Sequence, residues 1–495
     1  MNSPALYILN NFIRIDRSDS TAIYLQIAQG IIQAIHTKSL QSGAKLPGTR
    51  LLSEYLYLHR NTVTAAYEEI AAQGWIEIIP QKGAFVSKKI KQTSLAHTEN
   101  NCNPSVAPFK VEKNIVLDLP HSNIVSDFYF TAGTTDHRTT PLKEVQQLFA
   151  SIIQRKTTQK QLNKSFPVEN GNLKNQLMNH LHISKGFSMA TPQLLICNSN
   201  ESSIQSIIQT ILKPGDKVLI IEPGNYAMHM RLKQAQIDII SLSLKNSQLD
   251  FSALDKILKE SSIRAIYIQT NQLYPAIHLW TLVQKQKLLD FAFENNCILI
   301  EDDNASDYIY TQIIPSSFKK MDKQGVVIYL NSLQDLLPAP FNIGYIIAAD
   351  NVITELEKTK NSLQNPCNYL VEETLAEYIK EGLLFRQIQK NTKLYRKRRD
   401  HFQQLLEHNF ENNIQIETPV HGLAFWITFN AKLPLLSIAK HCESNNLYIP
   451  SYLLYQNQNI TGMRISFGHL NETEADKTIS ILSKAVYNYL YPEIN

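Results

Sequence analysis

Apolar residues recur at helical spacing near the start of the chain and give way further on to short runs of strand length. Ile27, Ile31 and Ile35 fall at i, i+4 and i+8, which predicts an amphipathic helix over residues 24–36. Gly43 and Pro47 break the chain. A second helix is expected over Thr49–Leu56, with the Thr49 hydroxyl as its N-cap. After the turn Tyr57-Leu58-His59, the positions Val63, Ala66, Tyr67 and Ile70 predict a third helix over residues 60–73. Gly74 stands where a left-handed C-cap belongs. Residues 75–79, the turn Pro80-Gln81-Lys82-Gly83 and residues 84–87 predict a hairpin. Helices followed by a hairpin in this order are the parts of a winged helix-turn-helix, expected over residues 12–90.

Residues 91–126 are rich in Lys, Asn, Ser, Thr and Pro, lack periodicity, and are expected to be a linker. From residue 127 the pattern changes. Strand-like runs at 194–197, 218–221, 237–242, 265–269, 297–300, 326–330 and 343–347 alternate with helical stretches that include 201–212, 251–259 and 282–294. This alternation predicts an α/β domain over residues 127–365, a mostly parallel sheet with helices on both faces. From 366 on, long helices at 369–380 and 385–408 precede short strands near 424–428 and 463–466, a smaller α+β lobe over residues 366–495. Ligands in such sheets sit at the C-terminal ends of the strands.

Composition narrows the function classes. No run of about 18 apolar residues occurs, so no membrane span is expected. The first eleven residues lack the basic-then-apolar pattern of a signal peptide. The five cysteines, Cys102, Cys197, Cys297, Cys367 and Cys442, are scattered and show no metal-ligand spacing, which fits a reducing, cytoplasmic setting. Of the 48 Lys and Arg and 44 Asp and Glu, residues 1–91 hold 10 and 6, leaving 38 of each in the rest. The whole net charge of +4 therefore lies in the head, where attraction to phosphate would need it.

A third helix in the major groove offers its N-terminal residues to base edges. Here these are Arg60, Asn61, Thr62 and Thr64: Arg pairs with guanine, Asn with adenine, and Thr meets a thymine methyl or a phosphate. Arg50 opens the second helix beside a phosphate, and Lys82 and Gly83 at the wing tip approach the backbone or minor groove. Such a module can also dock on a protein partner. The run Leu46-Pro47-Gly48-Thr49-Arg50-Leu51-Leu52-Ser53, with Arg60-Asn61-Thr62-Val63, Ala66-Tyr67, Gly74-Trp75-Ile76 and Gly83-Ala84-Phe85-Val86, resembles the GntR-type winged helix along its whole length. The resemblance implies a double-stranded DNA operator as partner, with Arg50, Arg60, Thr62 and Gly83 at the DNA surface. Tyr57 and His59 stand where that family usually has Gly and Ser or Thr. His59 can still donate to a phosphate.

The body, with Lys213-Pro214-Gly215-Asp216, Glu222-Pro223-Gly224, Glu301-Asp302-Asp303 and Arg464-Ile465-Ser466-Phe467, resembles a fold-type I aminotransferase, the pyridoxal-phosphate enzyme fold. Head and body together resemble the MocR family of regulators. That resemblance implies a homodimer joined through the large domains, and a body that can sense an amino-acid-like effector.

It also implies a lysine holding pyridoxal phosphate as an imine, shortly after the strand ending in Tyr329-Leu330. Counting forward from Val327-Ile328-Tyr329-Leu330 and backward from Gly344-Tyr345, that position is Asp335. A carboxylate cannot form an imine and repels a phosphate. The family's phosphate-binding arginine is replaced by Asn342, the tyrosine after the ring-nitrogen aspartate by Asn304, and the cradle glycine by Ser199, with Glu201 close behind. The ring-stacking position holds Asn225, and Gln272-Leu273-Tyr274-Pro275 stands for a His-Gln-aromatic-Pro stretch. Two positions survive. Asp302 matches the carboxylate that pairs with the pyridine nitrogen, and Arg464 the arginine that binds a substrate carboxylate. Asp302 can equally be one of three solvated acids in Glu301-Asp302-Asp303, a run able to ligate a divalent cation. Arg464 can equally be structural, as part of a salt bridge. The expectation is a cytoplasmic DNA-binding regulator with no covalent cofactor, no catalytic residue and no metal. The alternative is an active pyridoxal-phosphate aminotransferase with a DNA-binding head.

Overall fold

The computed structural model describes residues 4–17, 19, 21–88, 109–110, 126–163, 171–243, 250–269, 275–277, 279–303, 307–312, 316–337, 341–363, 368–458 and 460–491. The chain divides into two compact units, Met1–Glu112 and Lys113–Asn495. Nearly all of the expected linker lies outside the described residues.

The first unit contains α1 (Pro4–Asn10), α2 (Ile23–His36), α3 (Thr49–Leu56), α4 (Arg60–Ala72), β1 (Ile76–Ile79) and β2 (Gly83–Val86). Ile27 and Ile31 of α2 meet Leu52 of α3 and Val63, Ala66 and Ile70 of α4 in one core, and Leu6 and Leu9 of α1 join it. The core therefore begins before residue 12. Gly30 is where the N-terminal segment crosses α2: a Cβ there would lie 2.9 Å from the Phe12 carbonyl and from Ile13 Cγ1. β1 and β2 pair antiparallel from Ile76↔Val86 to Ile79↔Gly83, and Lys45 adds a bridge to Phe85. One expectation fails in detail. The N-cap of α3 is Gly48, with extended backbone and no side-chain bond. Thr49 is already helical, and its hydroxyl instead accepts from Arg60 Nε at 3.4 Å.

The second unit opens with β3 (Phe128–Tyr129), α5 (Leu142–Gln154), α6 (Lys156–Leu162), α7 (Gly171–Lys185), β4 (Leu194–Cys197), α8 (Asn200–Ile211), β5 (Lys217–Glu222) and α9 (Tyr226–Gln234). It continues through β6 (Asp238–Ser243), α10 (Phe251–Glu260), β7 (Ala265–Gln269), α11 (Leu282–Glu294), β8 (Ile298–Asp302), α12 (Phe318–Met321), β9 (Val327–Ser332), β10 (Gly344–Ile347) and α13 (Asp350–Ser362). The final part holds α14 (Tyr369–Lys380), α15 (Leu383–Phe410), β11 (Ile414–Ile416), β12 (Ala424–Phe429), α16 (Leu435–Ser444), β13 (Leu447–Tyr448), β14 (Leu454–Gln456), β15 (Thr461–Ser466) and α17 (Glu472–Leu490).

Seven strands form the main sheet in the order β4-β10-β9-β8-β7-β5-β6. All neighbours run parallel except β10, which is antiparallel to both β4 and β9. Side chains alternate between two covered faces. Leu219, Ile266, Leu299 and Val327 enter one core, and Val218, Ile220, Ile300 and Ile328 the other. Burial on both faces is why these strands read as continuous apolar runs. The smaller sheet, β11-β12-β15-β14, shares the first of those cores. Parallel strands bring their C-terminal ends to one edge of the main sheet, so Gln269 pairs with Asp302 there. That edge carries the residues discussed below.

Candidate nucleic-acid interface and the aminotransferase-like cleft

In the head, α3 and α4 are fixed to one another before they meet any partner. The buried Tyr67 hydroxyl donates to the Pro47 carbonyl at 2.8 Å, which sets α4 against the start of α3. Between the helices Tyr57 takes the left-handed conformation (φ 54°, ψ 43°) and is 90% exposed. His59 then caps α4: its Nδ1 accepts from the Asn61 backbone N–H at 3.3 Å. With Nδ1 accepting, the Nε2 edge is the one available to donate outward.

Arg50, His59, Arg60 and Asn61 are all exposed, and Thr62 and Thr64 are half-buried. Thr64 Oγ1 donates back to the Arg60 carbonyl at 3.0 Å, and Arg50 Nε lies 3.2 Å from Glu54. That pair is 84% and 64% exposed, so it is weak and easily exchanged for a phosphate. Lys82 and Gly83 are exposed at the wing tip, where Gly83 has φ +106°. Sequence reading missed Lys45. It is exposed, bridges to the wing, and carries its ammonium 5.7 Å from the Phe85 ring centroid, which adds a cation beside Lys82.

In the body, the three acids at the end of β8 are not the solvated group that the alternative reading offered. Glu301, Asp302 and Asp303 are all buried, because β8 lies mid-sheet and its end is covered. Each carboxylate has its own partners. Glu301 accepts from the backbone N–H groups of Phe318 and Lys319, both at 2.7 Å. Burial, with Asp303 nearby, nonetheless pushes it up to about 7. Asp302 Oδ2 accepts from the Tyr267 hydroxyl at 2.6 Å. Asp303 Oδ2 accepts from the Tyr329 hydroxyl at 2.6 Å and meets Lys185 Nζ at the same distance.

Lys185, the last residue of α7, was not singled out from sequence. Its ammonium sits between Asp303 and Asp307, the latter at 3.5 Å. Burial alone would lower its pKa, but the two carboxylates outweigh that and hold it above the ordinary lysine value. Lys185 is therefore a charged, paired amine and a poor nucleophile. Asp335 lies in the turn after β9, partly buried, with its carbonyl accepting from the Tyr308 hydroxyl at 3.1 Å. Burial, reinforced by Asp307, pushes its carboxyl up to about 7.

Where the resemblance implies a phosphate cradle, Ser199 is the N-cap of α8 and its Oγ accepts from Ser202 N at 3.2 Å. A Cβ on Gly344 would lie 2.3 Å from the Ser199 carbonyl, so β10 and this turn are in contact. The Oδ1 atoms of Asn200 and Asn342 are buried without a hydrogen-bond partner. Asn225 caps α9, accepting from Ala227 N and Met228 N. Arg464 is buried in β15. Its Nε donates to the Ala132 carbonyl at 2.8 Å and its Nη1 to the Pro275 carbonyl at 2.9 Å. Asn304 and the stretch Gln272-Leu273-Tyr274 lie outside the described residues. No helix among the described residues is long and apolar enough to cross a membrane.

Comparison with known proteins agrees with this division. Residues 23–86 match the family of bacterial regulatory proteins of the gntR type. Over 467 residues the chain is 22% identical to YdeL, an HTH-type transcriptional regulator of Bacillus subtilis, covering 93% of this chain and 96% of that one. It is 21% identical over 421 residues to the probable rhizopine catabolism regulatory protein MocR of Rhizobium meliloti, covering 85% and 84%. Among solved structures it superposes on Pyrococcus horikoshii kynurenine aminotransferase with a TM-score of 0.67 at 20% identity, covering 77% of this chain and 97% of that one. The chain thus joins a GntR-type winged helix to a body with the aminotransferase fold, the composite arrangement of the MocR-type regulators.

Proposed function

We propose that this chain is a DNA-binding transcriptional regulator of the MocR/GntR type, working in the cytoplasm on a double-stranded operator. The observation that carries the reading is the exposed N-terminal turn of α4, with Arg60 and Asn61 outward and their helix locked to α3 by Tyr67. Arg60, Asn61, Thr62 and Thr64 read base edges, and Arg50, His59, Lys82 and Gly83 position the backbone. The test is selection of binding sites from a random duplex library with the full chain. Arg60→Ala should weaken the selected site by about 1–3 kcal/mol and relax preference at one base position. Enrichment of the same sequences with the same affinity would mean α4 does not read DNA.

For the body we propose a homodimerising, sensing module without covalent pyridoxal phosphate. The residues at the cofactor positions do not fit that group. The imine position carries the Asp335 carboxyl. At the cradle, the atoms lacking partners, Oδ1 of Asn200 and Asn342, are acceptors, the wrong polarity for a phosphate as they are oriented. The alternative, an active aminotransferase, would need a neutral amine, and Lys185 is held charged by Asp303 and Asp307. An amino-acid-like effector is the ligand proposed for the cleft, with Asp302 as a vestigial cofactor residue. The proposed role of Arg464 is to take the effector carboxylate with guanidinium N–H groups other than the two that donate to the carbonyls of Ala132 and Pro275. Calorimetric titration with amino acids tests this role, and the absence of heat with any of them would remove it.

A further inference from the structure

The longest helix of the body carries a concentration of positive charge that the fold uses only in part. Between Leu384 and Arg399, α15 has seven Lys or Arg residues and no Asp or Glu. Three of them are tied to the structure. Arg396 Nη2 donates to the Tyr310 carbonyl at 2.7 Å. Arg398 pairs with the buried Asp136 at 2.8 Å and donates to the Gly468 carbonyl at 2.6 Å. Arg399 donates to the Pro419 carbonyl at 3.1 Å and lies over the Tyr310 ring.

The other four are Arg386, Lys390, Lys393 and Lys397. Their spacing of four, three and four puts them on one face, and all four are exposed. Arg386 donates to the Glu381 carbonyl at 3.0 Å. The ammonium groups of Lys390, Lys393 and Lys397 make no hydrogen bond or ion pair among the described residues. Like charges at such spacings each cost a few tenths of a kcal/mol in an isolated helix. A polyanion laid along the stripe reverses that cost.

We propose that this face of α15 binds the phosphate backbone of duplex DNA flanking the operator, as a second contact surface supplied by the body. The proposal rests on the head being DNA-binding, as argued above. The stripe spans twelve residues, eleven rises or about 16 Å along the helix axis. That matches about five base pairs of one strand, and flexible lysines suit phosphates as point charges. DNA is favoured over other anionic partners because the same chain brings it there. The 37 residues between 88 and 126 span at most about 130 Å, so DNA held by the head stays within the reach of the body and at high local concentration.

The test uses the full chain and a 60-base-pair duplex centred on the site that the full chain selects, with affinity measured by fluorescence anisotropy across a salt series. Four proteins are compared: wild type, Arg60→Ala, the triple variant Lys390→Gln/Lys393→Gln/Lys397→Gln, and the same three lysines changed to Arg. Each released counterion contributes about 0.9 to the slope of log affinity against log salt. The Gln triple variant should therefore lose about 2 to 3 from the slope, and the Arg triple variant should keep it. A Gln triple variant with the wild-type slope overturns the proposal, since the lysines would then be a solvated face or serve another partner. If Arg60→Ala weakens binding in that same experiment, the head reading stands alone. If Arg60→Ala has no effect while the Gln triple variant loses slope, the stripe stands and the head reading falls. A wild type that does not bind the duplex overturns both. Unchanged thermal melts of the variants establish that folding is intact.

Discussion

Replacing Asp335 by Asn tests the electrostatics of the cleft most sharply. Asn keeps the shape of the neutral carboxylic acid and removes its titration. Burial and the nearby Asp307 push the Asp335 carboxyl up to about 7, from an ordinary value of 3.8. The folded state therefore binds this proton more tightly than the unfolded chain does. The sign follows: the contribution is fully present below the unfolded value, near pH 4, and is lost as the pH rises through 7. Over the two units between pH 5 and pH 7 the loss is at most about 2.7 kcal/mol at 1.36 kcal/mol per unit. Asp335 is partly exposed, which halves this to roughly 1.3 kcal/mol. A unit of 383 residues unfolds with an entropy of about 0.8 kcal/mol/K. The advantage of the variant in melting temperature should then grow by about 2 °C between pH 5 and pH 8, as read by scanning calorimetry of the full chain. An advantage that stays constant or shrinks over that range would refute the argument, because groups shared by both proteins, Glu301 included, cancel in the difference.

Two further substitutions follow from the geometry. Tyr57 sits in the left-handed region, which costs a non-glycine residue roughly 1–2 kcal/mol, so Tyr57→Gly should stabilise the head by about 1 kcal/mol. Urea unfolding followed through Trp75 checks this, and a destabilised variant would mean that Tyr57 makes contacts worth more than its strain. Arg464→Ala removes the donors to two carbonyls and should destabilise the body by about 2 kcal/mol even without any effector. A variant of wild-type stability would restore Arg464 to a purely ligand-binding role.

How much was legible in the sequence varied with the kind of feature. The parallel strands could be read because both faces are buried, which leaves runs such as Leu219-Ile220-Ile221 unmistakable. Asp302 could be placed because the end of an apolar run is the edge of a sheet. The antiparallel course of β10 could not, since a four-residue apolar strand carries no direction. The burial of Glu301, Asp302 and Asp303 could not be read, because acids at a strand end are usually wet and the segment around Phe318 and Lys319 that meets Glu301 leaves no mark at β8. α7 left a clear trace, Leu173, Leu177 and Leu181 at i, i+4 and i+8, that was passed over. Its last residue, Lys185, left none: its role depends on Asp303 and Asp307, more than a hundred positions away in sequence. Thr49 was misassigned because Gly48, which has no side chain to announce a cap, ends the preceding turn.

The central claim is that the body of this regulator keeps the fold of a pyridoxal-phosphate enzyme without an amine able to hold the cofactor. The full chain, incubated with pyridoxal phosphate, reduced with borohydride, digested and analysed by peptide mass spectrometry, addresses it directly. The account predicts no stoichiometric phosphopyridoxyl adduct on any single lysine of the body. Such an adduct on one residue, Lys185 above all, would contradict it.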